Sequence, residues 1–116
     1  METTTRHVIT ALAALAQETR LAIFRLLVQA GPAGLPVGVI AETLDVANAT
    51  LSFHLKELTR AGLAVANPSG RSIIYTADFV TMTGVLSYLT ENCCQGSTCE
   101  AEPVACCPPI TPRRIK

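Results

Sequence analysis

The sequence predicts a mainly α-helical domain with one small β-hairpin. Apolar residues recur every three to four positions through most of the first 92 residues, and the pattern becomes strand-like after Gly62. Hydrophobic residues make up 49% of the chain but aromatic residues only 4%, so the core must consist of Leu, Val, Ile and Ala. Such a core suits small helices better than a β-sandwich. The length of 116 residues is that of one ordinary domain.

Two helices are predicted in the N-terminal third. Thr3 to Thr5 offer N-caps for a first helix over about residues 6–16. A second helix is predicted over 18–30, with a row through Leu21, Phe24 or Arg25, and Val28 at helical spacing. Gly31-Pro32 ends it, because glycine suits the position after a helix and proline cannot continue one.

A third and a fourth helix follow with a tight turn between them. The third is short and opens at 34–36, with Pro36 in its first turn and a buried stripe of Val39, Ile40 and Leu44. Asp45 to Ala47 form the turn. The fourth helix begins at Ala47 or Asn48 and ends at Gly62, with Leu51, Leu55 and Leu58 as its apolar row.

A hairpin and a fifth helix complete the predicted fold. Strands over 63–66 and 71–76 flank a turn at 67–70 that contains Pro, Ser and Gly. Asp78 caps the fifth helix, whose apolar face consists of Phe79, Met82, Val85, Leu86 and Leu89. Residues 1–92 are therefore interpreted as the folded domain and 93–116 as a mostly flexible, cysteine-rich tail.

The element order from the third helix through the hairpin is that of a winged helix-turn-helix, so residues 47–77 are predicted to bind DNA. A helix fits the major groove, and its outward polar side chains reach base edges and phosphates. The predicted DNA-binding residues are Asn48, Thr50, Ser52, His54 and Lys56 on the fourth helix, with Arg71 at the wing tip. The chain has no net charge, but residues 48–75 carry three Lys and Arg against one Glu.

A cytoplasmic protein without a membrane segment is expected. The apolar run 8–16 ends in Ala-Leu-Ala like a signal peptide, but Glu2 precedes it and the helical periodicity continues beyond it. No stretch approaches the roughly 18 apolar residues of a membrane span. In the cytosol, five cysteines are better interpreted as reduced ligands than as disulfides.

Three segments together resemble the ArsR/SmtB metalloregulatory repressors: FRLL at 24–27, LSFHLKEL at 51–58 and AGLA at 61–64. The resemblance covers roughly residues 8–92. It implies a winged helix-turn-helix homodimer whose first and fifth helices form the interface. It also implies a repressor that binds double-stranded operator DNA of dyad symmetry and leaves it when metal binds.

All five cysteines lie in the tail, directly after the fifth helix. Thiolates select soft ions, and arsenite or antimonite favours three sulfurs in a pyramid. Cys93, Cys94 and Cys99 provide such a set if the helix has ended before them, and Gly96 lets the chain turn back. Their spacing resembles the C-terminal arsenite site of one ArsR branch. Cys106 and Cys107 are assigned an accessory role.

Two sites known from other branches are missing here. The stretch 35–40, which corresponds to the third-helix Cys-Val-Cys motif of those repressors, has no cysteine, and the fifth helix has no histidine for a zinc site. His7 is interpreted as a surface residue. The sequence therefore predicts an As(III)-responsive repressor, with Sb(III) as a second effector, that needs no organic cofactor.

Other interpretations of the tail stay open. Cys93, Cys99 and Cys106 or Cys107 offer an irregular zinc site, although the usual C-x2-C spacing is absent. A repressor that senses cadmium, lead or thiol oxidation through the same cysteines shares the fold and differs only in its signal. An enzyme is not expected, because no Arg or Lys follows Cys93 or Cys94 within ten residues to activate a thiolate.

Overall fold

The computed structural model describes residues 4–93, which form five α-helices and a three-stranded antiparallel sheet. The fold class predicted from the sequence is confirmed. The elements in chain order are α1 (Thr5–Leu15), α2 (Glu18–Ala30), a short 3-10 turn (Gly31–Ala33), β1 (Leu35–Pro36), α3 (Val37–Leu44), α4 (Asn48–Arg60), β2 (Ala64–Ser69), β3 (Ser72–Ala77) and α5 (Phe79–Leu89).

The ends of the first two helices follow from local capping. The Thr4 side chain accepts a hydrogen bond from the His7 backbone N–H, so α1 begins at Thr5, one residue before the predicted start. The Gln17 side chain accepts from the Arg20 backbone N–H and caps α2 in the same way. The predicted bounds of the second helix are confirmed.

The segment before α3 differs from the prediction. Leu35 and Pro36 do not open the helix; they form β1, which pairs with Tyr75 and Ile74 of β3. Pro36 is the N-cap of α3, with extended backbone, instead of lying in its first turn. The predicted buried stripe is correct for Ile40 but wrong for Val39, which is 41% exposed, because it points away from the core that Ile40 enters.

The hairpin is longer and tighter than the sequence indicates. Of the predicted turn, 67–70, the first three residues continue β2, and the loop consists of Gly70 and Arg71 alone. Gly70 has φ +64, which suits the first central position of a two-residue hairpin turn. Pro68 is tolerated because β2 lies at the edge of the sheet, in the order β1-β3-β2.

One aliphatic core holds the helices and the sheet together. The largest fully buried side chains come from α2, α3, α4 and the segment before β2: Ile23, Leu27, Ile40, Leu51, Leu55, Leu58 and Leu63. The predicted leucine row of α4 is confirmed, and it fixes which side of that helix faces outward. Within residues 4–93, no helix combines the length and the apolar character needed to span a membrane.

Candidate nucleic-acid interface

The outward side of α4 is set by its buried leucine row. A helix turns about 100° per residue, so Asn48, Ser52 and Lys56 form one row at four-residue spacing beside the leucines. All three are exposed, as is Thr50, which lies on the other edge of the same outward side. The structure thus places four of the five residues predicted on this helix in solvent.

His54 is the exception, and the prediction that it faces outward is wrong. It lies three residues after Leu51 and four before Leu58, so helical geometry turns it towards the core face, where it is 8% exposed. Its Nδ1 atom accepts a hydrogen bond of 3.2 Å from Arg20 Nε. His54 therefore joins α4 to α2 and is not part of the exposed polar face.

Arg20 contacts three parts of this region at once. In addition to His54, its guanidinium donates to the Ala14 backbone carbonyl at 3.4 Å and lies 5.9 Å from the centre of the Phe53 ring. Burial and, to a smaller extent, the nearby positive charge of Arg20 lower the pKa of His54 below its ordinary 6.5. The imidazole is accordingly neutral at pH 7 and accepts the hydrogen bond.

A groove of about 410 Å³ lies between α4 and the hairpin. We call it the helix–wing groove; its lining residues are Ser52, Lys56, Thr59, Arg60, Ala66 and Tyr75. The structure brings two of the predicted residues, Ser52 and Lys56, to this groove. It adds Arg60, which the sequence interpretation missed although the four-residue spacing Ser52-Lys56-Arg60 was visible. Arg60 lies 3.6 Å from Glu57, which offsets part of its charge.

Arg71 lies at the tip of the wing, as predicted. It is exposed and follows Gly70 in the two-residue loop. The helix–wing groove and this loop together present Lys56, Arg60 and Arg71, which are all the Lys and Arg residues of α4 and the hairpin. A concave surface with polar side chains and cations on a helix, and a further cation at the wing tip, is suited to the grooves and phosphates of duplex DNA.

A second groove, of about 460 Å³, is apolar and lies between α1, α2 and α5. We call it the α1–α2–α5 groove; among its lining residues are Leu12, Leu21, Phe24, Met82, Leu86 and Leu89. Four of these leucines are between 41% and 56% exposed. Leucines clustered at this exposure are typical of a protein–protein contact surface.

The proposed thiolate site begins just beyond α5. That helix ends at Leu89, Asn92 takes a left-handed φ of +58, and the exposed Cys93 donates its backbone N–H to the Thr90 carbonyl. The helix has thus ended before the first cysteine, as the ligand prediction requires. Cys94, Cys99, Cys106 and Cys107 lie outside the described residues. Residues 4–93 by themselves bring together no group of three metal-ligating side chains.

Comparison with known proteins agrees with this geometry. A family model described as a helix-turn-helix domain matches residues 15–65, from the end of α1 into the hairpin. The protein contains a winged helix-turn-helix domain. A search of curated protein sequences gave no match.

Solved structures extend the winged helix-turn-helix similarity to most of the chain. An ArsR-like transcriptional regulator from Rhodococcus sp. RHA1 is 28% identical, with 72% of this chain and 76% of that chain covered and a TM-score of 0.64. HlyU from Vibrio cholerae N16961 is 28% identical, with 82% and 100% covered and a TM-score of 0.64. A homodimeric winged helix-turn-helix domain from Mycobacterium bovis, a possible ArsR-family regulator, is 28% identical, with 75% and 80% covered and a TM-score of 0.61.

These solved structures include ArsR-like regulators of transcription, and their similarity shows the winged helix-turn-helix fold for this chain. The DNA-binding element of that fold is the helix followed by the wing, which here is α4 with the β2–β3 hairpin. The neighbours named here are regulators of transcription, a class of proteins that are typically not enzymes.

Proposed function

We propose that the protein is a homodimeric transcriptional repressor that binds operator DNA of dyad symmetry and releases it on binding As(III), with Sb(III) as a second effector. The observation that carries the proposal is the junction at Cys93. The cysteine cluster starts four residues after the last residue of α5, and α5 lines the exposed apolar groove. A ligand at the cysteines is therefore next to the helix on which dimer geometry depends.

DNA binding is assigned to α4 and the wing. Asn48, Thr50 and Ser52 carry short polar groups for base edges, while Lys56 and Arg71 supply charge for phosphates. A single protomer presents few cations, and a dimer doubles them. For such a dimer, half-sites one helical turn apart, about 34–36 Å, are expected.

Dimerisation is assigned to the α1–α2–α5 groove. The Mycobacterium bovis domain is homodimeric and shares the fold, and the groove of this chain exposes leucines from all three helices. A symmetric pairing places one patch of leucines against its copy. Covering these side chains removes the largest cluster of exposed leucines in residues 4–93 from water.

Effector binding is assigned to Cys93, Cys94 and Cys99. Three thiolates match the pyramidal coordination of As(III), and drawing Cys99 towards Cys93 changes the path of the chain after α5. A change in the dimer contacts of α5 alters the spacing of the two recognition helices. A coupling free energy of about 1–3 kcal/mol or somewhat more is then enough to weaken operator binding.

The decisive experiment titrates effectors against operator binding by the full chain. An operator is first selected from random duplex DNA, and its dissociation is followed by fluorescence anisotropy with arsenite, antimonite, cadmium, lead and zinc under reducing conditions. Arsenite and antimonite are expected to release the DNA at the lowest concentrations. Release by zinc but not by arsenite would overturn the ligand assignment. Release only after the reductant is removed would favour thiol oxidation as the signal.

Cysteine variants separate the ligands from the accessory thiols. Cys99→Ser is expected to abolish the arsenite response and leave operator affinity unchanged, because Cys99 lies outside the DNA-binding element. The matched control is the double variant Cys106→Ser with Cys107→Ser, which is expected to keep the response. An undiminished response in Cys99→Ser removes that cysteine from the site.

A further inference from the structure

An apolar spot lies at the centre of the outward face of α4. Phe53 is two residues from Leu51, about 200° around the helix, and so points almost directly away from the core. It is 54% exposed and is the one aromatic residue among the exposed large hydrophobic side chains of residues 4–93. Ala49, one turn earlier, is also exposed on this side.

The Phe53 ring is held in place, although it is exposed. The His54 ring packs against it edge-on at 5.5 Å between centroids, and the Arg20 guanidinium lies 5.9 Å from its centre. Arg20 is itself fixed by hydrogen bonds to His54 Nδ1 and the Ala14 carbonyl. A side chain held this way loses little conformational freedom when it binds a partner.

The position of Phe53 indicates which kind of partner it contacts. It lies outside the residues that line the α1–α2–α5 groove, so the proposed dimer contact does not cover it. Its neighbours on the outward face are Ser52 and Lys56, which line the helix–wing groove, together with Ala49. A surface continuous with a polar and basic groove points to DNA. The apolar feature that duplex DNA displays in the major groove is the 5-methyl group of thymine.

We propose that Phe53, with Ala49 beside it, recognises a thymine methyl group in each half of the operator and is a specificity-determining residue. This inference rests on the proposed function, because it requires α4 to enter the major groove. Ser52 and Lys56 then contact polar base edges and phosphate around the methyl contact. Arg20 and His54 are positioning residues that fix the ring.

The test replaces thymine by deoxyuridine, which lacks only the methyl group. Each thymine of the selected operator is changed in turn, symmetrically in both half-sites, and affinity is measured by anisotropy at about 50 mM salt, where phosphate contacts keep weakened complexes measurable. At one symmetric position, the operator affinity of the wild-type protein is expected to fall about fourfold for each methyl group removed, or roughly 15-fold for the pair.

Variants assign that loss to the ring. Phe53→Ala is expected to bind more weakly and to reduce the uracil penalty to less than about twofold for each methyl group, because the methyl then loses most of its apolar contact. Lys56→Gln is the matched control: it weakens binding to every sequence but keeps the uracil penalty. Thermal unfolding of the Phe53→Ala variant checks that the half-exposed ring is not needed for folding. Its midpoint is expected within a few degrees of the wild-type value.

The outcomes distinguish this inference from the function it rests on. If the wild-type protein binds no duplex DNA, both the proposed function and the methyl contact of Phe53 are wrong. A wild-type protein that binds its operator without any thymine–uracil discrimination defeats the methyl contact alone. A Phe53→Ala variant that retains the full penalty also overturns it, and unchanged operator affinity in that variant indicates that the exposed ring serves a protein partner instead.

Discussion

His54 and Arg20 illustrate how one contact changes the meaning of a residue. His54 lies among Ser52, Phe53 and Lys56 on the predicted DNA-binding helix, and this neighbourhood suggests a role in base recognition. Its angle around α4 places it at the core face instead, and its Nδ1 atom accepts from Arg20 Nε. The contact ties α4 to α2 and, through the Ala14 carbonyl, to the end of α1. His54 thus helps to fix the position of α4 relative to α2.

Stability is expected to fall as the pH is lowered through the ordinary histidine range. The pKa of His54 is lowered in the folded state, so between about 6.5 and that lower value the unfolded chain binds more protons than the folded one. The contribution of neutral His54 to the free energy of unfolding is therefore fully present above pH 6.5 and is lost progressively below it. Urea unfolding at pH values from 7.5 down to 5 measures this dependence.

His54→Gln is the control for that pH dependence. Glutamine retains a carbonyl oxygen to accept from Arg20 and does not titrate in this range. We expect it to flatten the slope between pH 7 and 5.5. His54→Ala, which leaves the Arg20 donor without its acceptor, is expected to cost about 1–3 kcal/mol at pH 7.5. A slope in His54→Gln equal to that of wild type would mean that other groups cause the dependence.

Among the elements, the sheet depends on a close approach at Gly34. Its φ of +70 and ψ of −171 lie in a region that glycine alone adopts readily. A Cβ atom there would clash with the Tyr75 carbonyl oxygen and lie 2.6 Å from Thr76 Cγ2. β1 therefore pairs with β3 because the residue before it has no side chain.

Gly34→Ala is expected to cost at least about 2 kcal/mol more than Gly31→Ala in the free energy of unfolding. Gly31 is a close control, since its φ of +76 and ψ of −164 carry nearly the same backbone strain but no atom lies within 4 Å of an added Cβ. Urea denaturation of both variants isolates the steric clash. Equal losses would show that backbone strain alone decides both positions.

The elements that local pattern determines are those the sequence predicted well. The second helix has a stop signal at Gly31-Pro32, and the α4 leucine row follows helical spacing, so both could be located. β1 could not be located, because a two-residue strand is defined by its partners in β3, which lie 38 and 40 residues further along the chain. The hairpin turn was placed too early because Pro68 is usually a turn residue but is tolerated in an edge strand.

The candidate site can be predicted from the sequence only for residues whose polarity agrees with their angular position around α4. Ser52 and Lys56 are polar and also lie on the outward side of α4, so the sequence predicts their exposure correctly. His54 is polar but lies on the core face, and Phe53 is apolar but points outward. Residue type alone misassigns His54, although its position relative to Leu51 is already visible in the sequence.

At the scale of the whole molecule, the α1–α2–α5 groove predicts a homodimer. Leu86→Glu is expected to raise the dimer dissociation constant at least about 100-fold, because it introduces a charge into a desolvated apolar contact. Operator affinity falls with it, since one protomer holds only one half-site. Sedimentation equilibrium and anisotropy measure the two effects.

The same helix supplies the control for that variant. Val80 is 68% exposed on α5 and does not line the groove, so Val80→Glu adds the same charge to the same element. It is expected to leave the dimer intact. Leu86 is 55% exposed in the protomer, so neither variant should change protomer unfolding greatly. A monomeric Val80→Glu variant, or a dimeric Leu86→Glu variant, would place the interface elsewhere.

The short connection between α5 and the cysteines predicts that effector binding and DNA release can be separated. Only Thr90, Glu91 and Asn92 lie between Leu89 and Cys93, so a ligand that reshapes the cysteine segment acts directly on the end of the helix. Inserting four Gly and Ser residues after Thr90 keeps the spacing of Cys93, Cys94 and Cys99 but lets the linker absorb the movement.

The insertion variant is therefore expected to bind arsenite with wild-type affinity, measured by ultraviolet absorbance of the thiolate complex. It is also expected to lose most of the arsenite-dependent fall in operator affinity, which a coupling of about 1–3 kcal/mol places at about 5- to 150-fold in the wild type. Full release of operator DNA by the insertion variant would mean that the bound ion acts through contacts other than the end of α5. The reason is that a flexible linker does not pass a movement of the cysteine segment on to the helix.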